Sequence, residues 1–131
     1  MNPTICPRLV VANVDDAVTY YEKCLGAQHG PRFAEPSGHV VHAELRIGDS
    51  DISLTQSREE WGLRAPEALG GSQMLLTLTV DDSSAVSVAM VAGGGTAIIP
   101  IEDRPYGKRE GRVRDPFGHL WVVSQDLAAA G

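Results

Sequence analysis

Leu9-Val-Val-Ala-Asn-Val-Asp-Asp-Ala-Val18 runs from an apolar strand pattern into the start of a helix. Leu76-Thr-Leu-Thr-Val-Asp-Asp-Ser-Ser-Ala-Val86 does the same about 68 residues further on. Each copy continues into a helical stretch stopped by glycine and then into strands, ending in Asp51-Ile-Ser-Leu-Thr-Gln56 and Leu120-Trp-Val-Val-Ser-Gln125. Strand-to-helix alternation alone suggests a parallel α/β sheet. Three consecutive strands after each single helix point instead to an α+β fold, two tandem βαβββ modules forming a curved mixed sheet. The chain reads as one domain, with module 1 at about 5–57, a linker at about 58–72 and module 2 at about 73–126. Two similar modules build one cavity from matching walls, so function must be argued from side chains at equivalent strand positions.

Working outward from the repeat, the first strand is Ile5 to Val11, and Asn13 or Asp15 caps the helix that follows. Ala17, Val18, Tyr21 and Leu25 recur at helical spacing, and Gly26 supplies a left-handed stop. Pro31 and Pro36 break the next stretch. His39 to Ile47 and Asp51 to Thr55 read as strands joined by the turn Gly48-Asp-Ser50. Ser57 to Ser72 is a charged, Gly- and Pro-bearing connector that holds Trp61. In the second unit the strand Gln73 to Val80 precedes a helix over Ser83 to Ala92, capped by Asp82 or Ser83 and ended by Gly93-Gly-Gly95. Thr96 to Ile101, Gly111 to Arg114 and His119 to Gln125 are the remaining strands.

The bulk properties exclude several classes. A net charge of −6 argues against nucleic acid, since phosphate contacts need an electropositive face. The one basic run, Arg104-Pro-Tyr-Gly-Lys-Arg-Glu-Gly-Arg-Val-Arg114, reads as a solvated hairpin face rather than an anion site. Cys6 and Cys24 have neither metal-type spacing nor a disulfide framework. No signal peptide and no run of about 20 apolar residues is present, so no membrane association is expected and the expected location is a reduced cytoplasm.

Val14-Asp-Asp-Ala-Val-Thr-Tyr-Tyr-Glu-Lys-Cys-Leu-Gly-Ala27 and Gly111-Arg-Val-Arg-Asp-Pro-Phe-Gly-His-Leu-Trp121 resemble the vicinal oxygen chelate superfamily. That superfamily holds glyoxalase I, extradiol dioxygenases, and the fosfomycin and bleomycin resistance proteins. Asp115-Pro-Phe-Gly118 is the more specific match, a turn in which Asp bonds its own backbone, Pro presets φ and Gly accepts positive φ. The resemblance implies up to four metal ligands, usually His and Glu, on equivalent strands. Those positions fall here at Cys6 (or Pro7), Ser53, Leu75 and Val122. A divalent metal needs several anionic or imidazole ligands, which this set lacks. No metal and no cofactor is therefore expected, and the chain is most similar to the metal-free, antibiotic-binding branch, whose members dimerise and hold drugs in shared crevices.

Leu75 and Val122 in place of ligands imply an apolar cup. Strand alternation puts Ser53 and Thr55, Leu75 and Thr77, and Leu120, Val122 and Ser124 on the family's concave side, and turns Trp121 and Val123 toward the helices. Trp61 either stacks on a flat ligand or pins the connector. Tyr106 either closes the mouth of the cup or anchors its loop. Phe33 falls in the loop that often covers the cavity in this family. His39 and His42 have opposite strand parity, so both cannot face inward. The expected function is binding and sequestration of a small hydrophobic or aromatic ligand by a homodimer. The alternative is a metal-independent lyase or isomerase using His42 or Glu44 as its acid–base group.

Overall fold

The computed structural model describes residues 1–128, which divide into two compact units, one from Met1 to Leu69 and one from Gly70 on. In the first unit β1 (Arg8–Val11) leads to α1 (Val14–Leu25), then β2 (Gln28–Ala34), β3 (Val40–Ile47) and β4 (Ser50–Gln56). In the second, β5 (Leu75–Thr79) leads to α2 (Ser83–Ala92), then β6 (Thr96–Arg104), β7 (Lys108–Arg114) and β8 (Leu120–Asp126). Each unit forms a four-stranded mixed sheet, ordered β1-β4-β3-β2 and β5-β8-β7-β6. The first and last strands of each module run parallel, and the other pairings are antiparallel. This is the α+β architecture of two βαβββ modules.

Local chemistry explains the helices. Asn13 caps α1 by accepting from the Asp16 amide at 3.0 Å, and Gly26 ends it at φ 66°. Asp82 caps α2 through the Ala85 amide at 3.0 Å. α1 buries Val14, Ala17, Val18, Tyr20, Tyr21 and Cys24 against its own sheet. On that same side β1, β3 and β4 bury Leu9, Val11, Ala43, Leu45, Ile47, Ile52 and Leu54. In the second module Val113, Trp121 and Val123 form the buried face, with Met90 from α2. Trp121 is thus a core residue, 3% exposed, and its indole nitrogen donates to Asp115 at 2.9 Å. Asp115 also accepts from the amides of Phe117 and His119, so the buried carboxylate has a full set of donors. No helix among the described residues is long and apolar enough to cross a membrane.

Four strands differ clearly from the sequence-based expectation. The segment around Pro31 is strand, not loop, because β2 is an edge strand that accommodates Pro31 at a register shift between His29 and Arg32. Phe33 is therefore a strand residue. The hairpin of the second module is longer than predicted, with β6 reaching Arg104 and β7 starting at Lys108. Charged residues conceal this extension in a hydrophobicity pattern. The first strand is shorter, opening at Arg8 rather than Ile5.

Candidate functional site

Each sheet has a face turned away from its own helix, and register fixes what stands on it. In module 1 one row reads Val10, Thr55, His42, Phe33 across β1, β4, β3 and β2. The row below it holds Arg8, Ser53 and Glu44. In module 2 the corresponding rows are Thr79, Ser124, Glu110, Glu102 and Thr77, Val122, Arg112, Ile99, followed by Leu75, Leu120, Arg114, Thr96. Ser53, Thr55, Leu75, Thr77, Leu120 and Val122 thus share the helix-distal faces of their own modules.

The expectation of an apolar cup is corrected here. Arg8 lies opposite Ser53 and its Nε donates to the serine Oγ at 3.3 Å. Arg112 lies opposite Val122. A pocket of about 230 Å³ in module 2 is lined by Ile99, Arg104, Tyr106, Glu110, Gly111, Arg112 and Val122. The basic run is likewise more than a solvated face. Its period-2 alternation sends Lys108, Glu110, Arg112 and Arg114 to the site face, and Gly111 and Val113 to the other.

A bulge in β6 lies beside this pocket. Pairing shifts between Ile99 and Glu102, and the Pro100 carbonyl comes so close to β7 that only glycine fits at position 111. A Cβ there would lie 2.7 Å from the Pro100 carbonyl and against that of Ile99. Arg104 staples the bulge, donating to the carbonyl of Pro100 at 2.6 Å and to that of Glu110 at 3.1 Å. Tyr106, in the turn after β6, donates its hydroxyl to Glu110 Oε1 at 2.5 Å. That bond, and a second from Ser124, hold the Glu110 carboxyl below its ordinary value, while the same contact pushes the Tyr106 phenol up.

The other candidates are dispersed. Phe33 packs against His42 with ring centroids 5.6 Å apart. His39 stands before β3, bonded to the Gln56 side chain at 3.2 Å rather than on the sheet face. Trp61 sits on a short 3₁₀ turn, Glu59–Trp61, as a residue 69% exposed, with the Arg58 guanidinium 5.0 Å from its ring centroid. Arg58 is itself held by Glu35. A larger pocket of about 520 Å³ in module 1 involves Cys6, His29, Glu44 and Arg46 among its walls. Sequence reasoning passed over Arg8, Arg104, Glu110 and Arg112. Strand parity counted from Val122 and Ser124 could have found the last two.

The donor set does not fit a divalent metal. The positions that the resemblance assigns to ligands hold Cys6 (or Pro7), Ser53, Leu75 and Val122, with Arg8 bonded to Ser53 and Arg112 paired across from Val122. Among the described residues no group of three His, Cys, Asp or Glu side chains is placed to hold a cation.

Comparison with known proteins agrees with this architecture. Residues 4–123 match the profile of the Glyoxalase/Bleomycin resistance protein/Dioxygenase superfamily. The uncharacterized protein Mb0911c of Mycobacterium bovis is 33% identical over 130 residues, covering 97% of this chain and 86% of that protein. The crystal structure of TioX from Micromonospora sp. ML1 matches with a TM-score of 0.73 at 23% identity, over 96% of this chain and 100% of that one. The fosfomycin resistance protein FosX from Mesorhizobium loti matches with a TM-score of 0.68 at 15% identity, over 97% and 94%. At such identities the solved structures carry the fold alone. The profile match over nearly the whole chain, on two βαβββ modules, makes this chain a member of the glyoxalase/bleomycin resistance/dioxygenase superfamily.

Proposed function

We propose that this chain is a metal-independent binding protein that sequesters a small aromatic natural product or antibiotic in the cytoplasm. The observation that carries the reading is the occupation of the family's ligand positions by Cys6 (or Pro7), Ser53, Leu75 and Val122, with Arg8 and Arg112 paired across strands from Ser53 and Val122. Guanidinium groups there repel a divalent cation and favour an organic ligand. The apolar side chains around them supply burial worth about 25 cal/mol per Å² before the costs of association. Fosfomycin resistance in a structural neighbour puts drug handling within the fold's range.

The same reading makes the protein a homodimer. α2 carries no charged residue and exposes Val88 and Val91, an apolar surface for a second copy to cover. Sedimentation should then report about 28 kDa, twice the 14.0 kDa chain.

A panel of aromatic antibiotics followed by thermal denaturation tests the binding reading. A true ligand at 100 times its Kd adds about 2.7 kcal/mol. If Trp61 stacks on that ligand, Trp61→Ala weakens binding by about 1–3 kcal/mol and removes most of the fluorescence quench. Stoichiometric Zn, Ni, Fe or Mn in untagged protein, with chelator-sensitive activity, would overturn the reading.

The Tyr106–Glu110 hydrogen bond beside Arg112 favours a second reading, a metal-independent lyase or isomerase. That reading requires turnover of a bound compound, lost in both Tyr106→Phe and Glu110→Gln. It displaces His42 and Glu44 as the favoured acid–base groups, since neither has a comparable partner geometry.

A further inference from the structure

The β6–β7 hairpin holds its arginines in contrasting states. Arg109 is paired with Asp103 through contacts of 2.6 and 3.3 Å, and Arg104 is tied to backbone carbonyls. Arg112 takes part in none of the ion pairs among the described residues. Its Nε is the one buried side-chain nitrogen or oxygen among them without a hydrogen-bond partner. A guanidinium cannot shed its proton to relieve that state, and a buried charged donor left unsatisfied costs more than a neutral one.

Glu110, two residues away on the same strand face, does not fill the vacancy. Its carboxylate is engaged by the Tyr106 hydroxyl and by Ser124. The cross-strand neighbours of Arg112 are Val122 and Ile99, both apolar. A planar cation is thus set between two aliphatic walls, with Arg104 and the Tyr106 ring completing the pocket. At about 230 Å³ this space is below the range of roughly 300–1,000 Å³ that encloses a whole drug-sized molecule. It accommodates one end of a ligand.

We infer that Arg112 is the seat for a carboxylate on the sequestered ligand, gripped in the planar, two-pronged manner that guanidinium favours. The apolar or aromatic body next to that carboxylate lies over Ile99 and Val122, on either side of Arg112. This inference rests on the binding reading above and narrows it to aromatic acids.

Benzoate and its neutral isostere benzamide are the probes, titrated into the full-length protein and followed by amide NMR. Benzoate should shift the resonances of Gly111, Arg112 and Val122 and bind at least about tenfold more tightly than benzamide. Arg112→Met should lower benzoate affinity about tenfold or more, to the level of benzamide, and Arg112→Lys should recover only part of it. A melting curve establishes that each variant is folded. If Arg112→Met does not fold, the benzoate-to-benzamide ratio and its salt dependence in the wild type decide instead.

Equal binding of the two probes, or benzoate binding that survives in Arg112→Met, overturns the carboxylate seat. Neutral aromatics binding as well as acids would remove the seat and leave the binding protein. Benzoate held at Arg112 while the antibiotic panel fails would keep the seat and remove drug sequestration. Failure of every compound to bind would remove both.

Discussion

Glu44, His42 and Arg8 in module 1 stand where module 2 has Arg112, Glu110 and Thr77, at positions equivalent in sheet register. A carboxylate in one module is thus a guanidinium in the other, on the same backbone. The helix-facing rows differ much less in kind: Ala43, Leu45, Ile52 and Leu54 against Gly111, Val113, Trp121 and Val123. Packing of a helix onto its sheet constrains one face to be apolar, whereas the opposite face is free to change its chemistry without loss of the fold. The two modules also differ in how well they are covered. Fifteen of the nineteen buried apolar residues among those described lie in the first unit, while α2 leaves Val88 70% exposed. Module 1 carries the more complete core, and module 2 holds the pocket with the unpartnered cation.

Four measurements sharpen or break that comparison. The largest effect is expected at the core positions that match each other, Trp121 and Ile52. Trp121→Ala should cost about 3–5 kcal/mol and Ile52→Ala about 2–5 kcal/mol in chemical denaturation. Trp121 should lie at the upper end because its loss also deprives Asp115 of a buried donor. A Trp121 variant that melts like the wild type would mean that module 2 has no core of its own.

Next comes the equivalent pair Gly111 and Ala43. Gly111→Ala drives a methyl group into the β6 backbone, and overpacking of that kind costs about 1–3 kcal/mol. Ala43→Gly adds only unfolded-chain entropy and a small void, about 1 kcal/mol. Reversed costs would show that the bulge yields freely and does not shape the pocket.

The helix caps should be alike. Asn13→Ala and Asp82→Ala each remove one amide acceptor, for a loss of about 1 kcal/mol apiece. A much smaller loss at Asp82 would mark α2 as the looser helix, in keeping with its exposed valines.

The smallest effect is electrostatic and confined to module 2. The Glu110 pKa is lowered by the Tyr106 bond and then by Ser124, so its contribution to folding is present above the ordinary value of 4.5 and is lost as pH falls through the depressed one. The Tyr106 pKa is raised, so its contribution is fully present below the phenol's ordinary 10.0 and is lost as pH rises through the raised value. Carbon NMR of the glutamate carboxyls should show Glu110 titrating at higher pH in Tyr106→Phe than in the wild type. An unchanged titration would assign the shift to Ser124 and to the Lys108 and Arg104 charges.

Much of this was legible in the chain. The repeat, each helix cap to within two neighbouring candidates, the Asp115–Gly118 turn and the inward position of Trp121 follow from local rules: strand parity, capping chemistry and turn preferences act over a few residues and leave a written pattern. β2 was not legible, because an edge strand with two prolines nearby and no buried side chains carries no hydrophobic period. The extended hairpin was hidden in the same way by its charges.

The sequence by itself determined the α+β modules and the apolar helix-facing rows, and its family resemblance led to the expectation of no metal from Cys6 (or Pro7), Ser53, Leu75 and Val122. Only the tertiary structure decided that Arg112 has a buried nitrogen without a partner, that Glu110 is claimed by Tyr106 and Ser124, and that Arg104 holds the bulge. Those facts depend on cross-strand register and on which charges find each other. A run of five basic residues in eleven positions reads the same whether its charges are satisfied by carboxylates, by carbonyls or by nothing. Pairing across strands is a property of three-dimensional distance, and the charge sequence along one strand does not encode it.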